Sequence, residues 1–453
     1  MSFGPINPAL LTDQYELTMA AAYFDHGRFD PATFSLFIRE YPPDRGYFVS
    51  AGLERVLDYL EKFHFDPAAI DALAADGRFS EDFLQYLSEL RFTGHVHAMP
   101  EGQVFFKDEP VLEVTAPIIE AQLVETFVIN AVNLPVSIAT KAARCVDAAD
   151  GRRLVDFSLR RTQGMDAGLT VARSSYLAGF AGTSNVGAGV RDGIPVFGTM
   201  AHSFITSFPD ETEAFEAFAE TFPENTVLLI DTYDTRSGAR KAVEVARKMV
   251  RRGHRLRGVR LDSGDMARLS RDVRTILDGE GYSDVEIFAS GGFDEHKIED
   301  VIARQARIDA FGVGTKMGVS ADAPYTDIAY KLVRYADRPV LKLSSGKRTL
   351  VGEKQVFRRR ENGELAGDVI ALRGESPAGE ALLAPVMDNG RRSRPAESLE
   401  TIRDRCAETI HALPPGCRQL RAPDEYPVTL GEELARLQRE VVCEVREKEL
   451  GES

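Results

Sequence analysis

VLLIDTYDTRSGARKAVEVARKMV, residues 227–250, and GVRLDSGDMARLSRDVRTIL, residues 258–277, decide the architecture. Each opens on a short apolar run, Val227–Ile230 and Gly258–Leu261, and halts at a cluster of Asp, Ser, Thr or Gly. Each then continues in a helical pattern, at Arg236–Arg251 and Asp265–Leu277. A buried strand, a polar stop and an amphipathic helix make the repeating half of a βαβ unit, which pairs in parallel through right-handed crossovers. Similar runs stand at Leu154–Phe157, Gly179–Ala181, Pro195–Phe197, Val285–Phe288 and Ile308–Val313. Further helices are expected at Asp166–Leu177, Glu211–Thr221 and Asp294–Ala303. Seven such units, or eight counting Val340–Leu343, suit a closed barrel better than an open sheet. The expected class is therefore α/β, an irregular (β/α) barrel over residues 136–345.

The rhythm differs on either side. Residues 1–135 read as an N-terminal α+β domain. A helix is expected to be capped by Thr12-Asp13, with strands at Thr33–Arg39, His95–Met99 and Val111–Val114 and helices at Leu53–Phe63 and Glu81–Leu90. Residues 346–453 read as a C-terminal extension packing on the other two parts, with helices near Ala396–His411 and Leu430–Glu447. Its basic run, Arg358-Arg359-Arg360, reads as a solvated edge.

Composition limits the partners. The 453 residues carry a net charge of -15, which disfavours nucleic acid and anionic membranes as general partners. No apolar string reaches the roughly 20 residues of a membrane span. The N-terminus shows no signal-peptide pattern. Cys145, Cys406, Cys417 and Cys443 form no CxxC pair, so they read as reduced thiols in a cytoplasmic protein.

Barrel active sites form on the loops after the strands. Those loops carry Arg160-Arg161-Thr162-Gln163-Gly164; Gly182-Thr183-Ser184-Asn185; Gly198 to Ser203 with His202; Asp231 to Thr235; Asp262-Ser263-Gly264-Asp265; Ser290-Gly291-Gly292; and Gly314-Thr315-Lys316. Arg260 lies just inside its strand. Any one of these could be turn or capping chemistry. Together they describe a polyanion site. Gly291-Gly292 and Gly314-Thr315 can turn backbone N–H groups toward phosphate. Asp262, Ser263 and Asp265, and equally Asp231 and Asp234, suit ribose hydroxyls or a phosphate-bound Mg²⁺. Arg160, Arg161 and Arg260 can fork onto carboxylate or pyrophosphate, or pair with a neighbouring Asp. Of eight histidines, His202 alone has a strand-end loop for its setting. P-loop, GxSxG, HExxH and GxGxxG motifs are absent.

These blocks, in order, resemble a family. TDQYELTM at 12–19, DFSLRRTQG at 156–164, GFAGTSN at 179–185, GTMAHSF at 198–204, LLIDTYDT at 228–235, VRLDSGD at 259–265 and FASGG at 288–292 are similar to the signatures of nicotinate phosphoribosyltransferases. The resemblance implies transfer of a phosphoribosyl group from phosphoribosyl pyrophosphate to nicotinate, giving nicotinate mononucleotide and pyrophosphate in NAD salvage. It implies coupling to ATP through a phosphohistidine at His202, a requirement for Mg²⁺, and a homodimer with shared active sites. It implies that Phe157 stacks under the pyridine and that Tyr15 covers it, from a second subunit. Arg260 would hold the carboxylate, Arg160 would lie near the phosphates and the ring, and Asp262, Ser263 and Gly264 would take the ribose. Gly291, Gly292, Gly314 and Thr315 would hold the 5′-phosphate. The related nicotinamide enzymes place an Asp where this chain has Ser184; a neutral hydroxyl tolerates a carboxylate that an Asp would repel. A nicotinamide enzyme, a quinolinate enzyme, a sugar-phosphate aldolase or isomerase using Lys316, and a non-catalytic binder are the rival readings.

Overall fold

The computed structural model describes residues 6–343 and 349–451. The chain divides into two compact units, one running up to Ser137 and resuming at Tyr325, the other Ile138–Pro324.

In the first unit a seven-stranded sheet is built around Pro31–Ile38. Ile328–Tyr335 pairs antiparallel on one side of it, and Leu112–Pro117 on the other. The ladder continues through His95–Ala98, Ala384–Asp388 and Arg391–Arg392. Strands of the C-terminal hundred residues are therefore sheet members here, not a layer laid over a finished domain. Val340–Leu343 is no eighth barrel strand. The chain turns at Ala336, Arg338–Pro339 folds back on Ile328–Tyr335, and the Val340 N–H bonds Val333 O at 3.0 Å. The basic run also reads differently in three dimensions. It lies on the strand Lys354–Glu361, whose buried part ends at Arg358, held inward against Asp368 on Glu364–Leu372. Arg359 and Arg360 stay exposed. The helix Gln14–Asp25 begins as expected after Asp13, but Asp13 makes no side-chain cap; its carboxylate accepts from Thr126 Oγ1 at 2.7 Å instead.

The second unit is the α/β part. Six parallel strands lie in the order Gly182–Thr183, Arg153–Asp156, Ala310–Val313, Glu286–Ala289, Gly258–Leu261 and Val227–Leu229. Between them run helices with apolar inner faces. Thr235–Arg251, for example, buries Ala239, Ala242, Val243, Ala246 and Met249 at three- and four-residue spacing. Each fully buried Val or Met side chain contributes about 1.5–3 kcal/mol. Helix starts are fixed by carboxylates: Asp234 accepts from Ser237 N at 2.8 Å, Asp265 from Arg268 N at 3.3 Å and Asp294 from Lys297 N at 2.9 Å. The ladder does not close on itself among the described residues. Pro195–Phe197, expected as a full strand, makes only the bridge Thr183↔Val196. Pro195 has no N–H to give, and the two bonds formed, Thr183 N to Pro195 O and Phe197 N to Thr183 O, face one side only. Val196 and Phe197 are left partly exposed where the next pairing would have been.

No helix among the described residues is long and apolar enough to cross a membrane.

Candidate active site

The strands Gly258–Leu261 and Glu286–Ala289 are in register, Phe288 opposite Arg260 and Ala289 opposite Leu261. This brings Arg260, Asp262 and Ser290 together at the strand ends. Arg260 Nε donates to Ser290 Oγ at 2.8 Å and its Nη2 to Asp262 Oδ1 at 2.9 Å. Ser290 Oγ also donates to Asp262 Oδ1. The remaining Nη1 has only long contacts, to Met200 O at 3.3 Å and Thr199 Oγ1 at 3.5 Å. One edge of the guanidinium is thus held and the other is loosely held, so it can be taken by an incoming carboxylate. Partial burial of Asp262 raises its pKa, but the Ser290 hydroxyl and Arg260 outweigh it and hold the carboxyl below its ordinary range.

The Arg260 guanidinium lies 5.3 Å from the centre of the Phe157 ring, and Phe288 lies 5.7 Å from the same ring. Phe157 can occupy this place because residue 312 is glycine: a Cβ there would meet the ring at 2.7 Å. Asp156 anchors the turn. Fully buried, it accepts from Ser158 N at 2.8 Å, Ser158 Oγ at 2.6 Å and Thr183 Oγ1 at 2.7 Å. Its carbonyl receives the Ser184 N–H at 2.8 Å, so the strand end under Phe157 also carries Ser184.

His202 opens the short helix His202–Thr206. Its Nδ1 is 3.1 Å from Thr232 Oγ1, and its Nε2 is 3.9 Å from Asp262 Oδ2, with the imidazole 45% exposed. The ring is anchored on one nitrogen and accessible on the other. Asp231 ties the neighbouring loops: its Oδ2 accepts from Asp262 N at 2.9 Å and from Ser263 Oγ at 2.7 Å, while its Oδ1 has no partner among the described residues.

The glycine turns sit on the adjacent strand ends. Gly291 and Gly292 have φ of 98° and 68°, a region that favours glycine, and a Cβ on Gly291 would lie 2.0 Å from the Asp262 carbonyl oxygen. Gly264 forms the turn next to Ser263 with φ 89°. Gly314 precedes the one-turn helix Thr315–Gly318, and Arg161 Nη1 reaches Thr315 Oγ1 at 3.3 Å. Arg160 stands exposed on the 3₁₀ turn Leu159–Arg161 with no protein partner among the described residues. A cavity of about 930 Å³ runs along the same strands, reaching Phe157, Thr199 and Phe288 at one end and Arg153, Arg257 and Glu286 at the other.

Matches to known proteins cover most of the chain. A model of the nicotinate phosphoribosyltransferase N-terminal domain matches residues 10–133, that of the family matches 152–359, and that of the C-terminal domain matches 378–438. The chain belongs to the nicotinate phosphoribosyltransferase family. It is 50% identical over 435 residues to the nicotinate phosphoribosyltransferase pncB2 of Mycobacterium tuberculosis, covering 95% of this chain and 94% of that one. The Bacillus subtilis nicotinate phosphoribosyltransferase is 41% identical over 379 residues, 81% of this chain and 76% of its own. The crystal structure of human nicotinic acid phosphoribosyltransferase superposes with a TM-score of 0.85 at 30% identity, covering 95% of this chain and 99% of that one.

Within this family frame, the structure brings Phe157, Ser184, His202, Arg260, Asp262, Ser263, Gly264, Gly291, Gly292, Gly314, Thr315 and Arg160 to the strand ends of one unit. Tyr15 lies in the other unit, on the helix Gln14–Asp25, 47% exposed. Thr232 and Ser290 stand in the expected strand-end loops and Asp156 at a strand end, but the sequence assigns none of them a role. Each is a short polar residue that looks like ordinary turn chemistry until its partner, 27 to 30 residues away, is known.

Proposed function

We propose that this chain transfers the phosphoribosyl group of phosphoribosyl pyrophosphate to the ring nitrogen of nicotinate, the first step of NAD salvage from the free acid. The observation that carries this reading is Arg260: a guanidinium fixed on one edge by Asp262 and Ser290, only loosely held on the other, and set 5.3 Å from an aromatic ring. A flat acid lying against Phe157 would meet a cation at its carboxylate and a neutral Ser184 hydroxyl near its edge.

In this reading the C1–O bond to pyrophosphate breaks as the pyridine nitrogen bonds C1, through an oxocarbenium-like state. The residues would mainly position and stabilise charge. Gly291, Gly292, Gly314 and Thr315 would hold the 5′-phosphate, Asp262, Ser263 and Gly264 the ribose, and unpaired Arg160 the leaving diphosphate. His202, with Thr232 steadying Nδ1, would accept the γ-phosphoryl of ATP, and hydrolysis of that phosphohistidine would draw the reaction forward.

Mg²⁺ suits the residues present in a limited way. Among the described residues no cluster of three or more candidate ligands exists, but Asp262 is partly open and Asp231 Oδ1 lacks a partner. One or two carboxylate oxygens with substrate phosphates and waters is the usual magnesium arrangement. When bound, the ion would neutralise charge on the departing pyrophosphate. A homodimer would let Tyr15 of a second subunit cover the ring, and a cytoplasmic location fits four free thiols.

The test is a product assay with nicotinate, nicotinamide or quinolinate, with and without ATP, alongside γ-labelled ATP. Nicotinate should be the preferred acceptor, and label should enter wild type but not His202→Ala. Equal labelling of both would remove His202 from its role, and a preference for quinolinate would overturn the substrate.

A further inference from the structure

We infer that Lys297 is a positioning residue for the transferase reaction, setting the direction of the Gly291–Gly292 peptide so that it can bind the dianionic phosphate of a sugar 5-phosphate. This rests on the reading of that turn as the 5′-phosphate cradle.

The Lys297 ammonium donates to the Gly291 carbonyl oxygen at 2.5 Å. Among the described residues no peptide is cis, so the Gly292 N–H points opposite to that carbonyl. Holding the oxygen therefore aims the amide. Neither the Gly291 nor the Gly292 N–H meets an acceptor among the described residues, so both donors remain available. The turn is clamped on its other side as well, since Gly291 packs against the Asp262 carbonyl too closely for any side chain. With φ of 98° and 68°, two consecutive glycines would move easily if they were not held at both places.

Charge supports the same role. Asp294, the nearest carboxylate on this helix, is occupied: it accepts Lys316 Nζ at 2.6 Å and the Lys297 N–H at 2.9 Å. Lys297 itself has no carboxylate partner among the described residues. Its ammonium sits 4.5 Å from the Phe293 ring centre. Burial first, then the charge of Lys316, hold its pKa below the ordinary lysine value. Two ammonium groups share one contacting carboxylate, and Asp262, the other carboxylate acting on Lys297, is already paired with Arg260, so a phosphate dianion beside the open N–H donors would meet net positive charge.

The experiment compares full-length wild type, Lys297→Met, Lys297→Arg and Gly292→Ala. It measures KM for phosphoribosyl pyrophosphate, KM for nicotinate and the inhibition constant of ribose 5-phosphate. Loss of one charge-assisted hydrogen bond should raise the first and third about 10- to 100-fold in Lys297→Met and leave nicotinate KM within about twofold. Lys297→Arg, which can donate to the same carbonyl, should recover most of the loss. Unchanged ribose 5-phosphate inhibition in Lys297→Met with impaired Gly292→Ala would overturn the role of Lys297 and leave the cradle standing. No effect in either would overturn both. An Arg variant as impaired as Met, or a Met variant that raises both KM values equally, would mark Lys297 as merely structural and also overturn the inference. If Lys297→Met does not fold, Lys297→Leu carries the same comparison.

Discussion

Two Arg–Asp pairs, one in each unit, show how the same chemistry serves two ends. Arg358 and Asp368 are both fully buried. Arg358 Nη2 donates at 2.5 Å and Nε to both carboxylate oxygens at 3.1 Å, Nη1 goes to Val104 O at 2.8 Å, and Tyr426 adds a bond to Asp368 at 3.1 Å. Beside them, burial and then the charge of Asp368 push the Glu109 carboxyl well above its ordinary range. Arg260 and Asp262 are 15% and 33% exposed, and each retains an atom with little or nothing to bind. A closed pair specifies a core. An open one can serve as a site, because its spare hydrogen-bonding capacity waits for a ligand.

The sharpest way to break this comparison is to cut both pairs. Arg358→Ala leaves Asp368 and Glu109 buried without a cation, which costs about 3–5 kcal/mol. It should lower the melting temperature by roughly 5–10 °C, or abolish soluble protein. Arg260→Ala should melt close to wild type, because half-open Asp262 keeps its Ser290 bond and reaches solvent, yet lose about 100-fold or more in kcat/KM for nicotinate, whose carboxylate then lacks its partner. If Arg260→Ala proved the less stable protein, the contrast would be wrong.

A subtler case is Glu16, in the first unit, one residue after Tyr15. It is fully buried and accepts from Thr126 N at 3.0 Å, from Thr126 Oγ1 at 2.7 Å and from Thr12 Oγ1. Burial dominates these bonds and raises its pKa to about 7. The unfolded chain releases this proton near 4.5, while the folded chain keeps it until about 7. Stability should therefore fall as pH rises between those values and stay level above them, by roughly 3 kcal/mol at most. Glu16→Gln should remove that slope; parallel melting curves for the two proteins from pH 4.5 to 7.5 would refute it.

The smallest expected effect concerns the acid-or-amide choice at the open site. Ser184→Asp places a carboxylate where nicotinate's own is expected, and should shift the nicotinate-to-nicotinamide ratio of kcat/KM by about tenfold toward the amide. An unchanged ratio would remove Ser184 from selectivity.

Much of the second unit was legible beforehand. The strands at 154, 227, 258, 285 and 308 and their helices form within a few residues of the expected bounds, because apolar period and capping carboxylates act within one or two turns. Asp262 and Gly291 could be named because they follow strand ends. What hid was whatever depended on a distant partner. Arg358 looked like one of three surface cations until its strand paired with 364–372.

By itself, then, the sequence determined the α/β alternation, the loops that carry the chemistry and the family blocks that name it. Only the tertiary structure decided that the strand ladder stays open beside Pro195, that C-terminal strands complete the N-terminal sheet, and which arginine is buried. The reason is range: periodicity and caps are settled between near neighbours, whereas pairing, burial and charge compensation depend on residues tens to hundreds of positions apart.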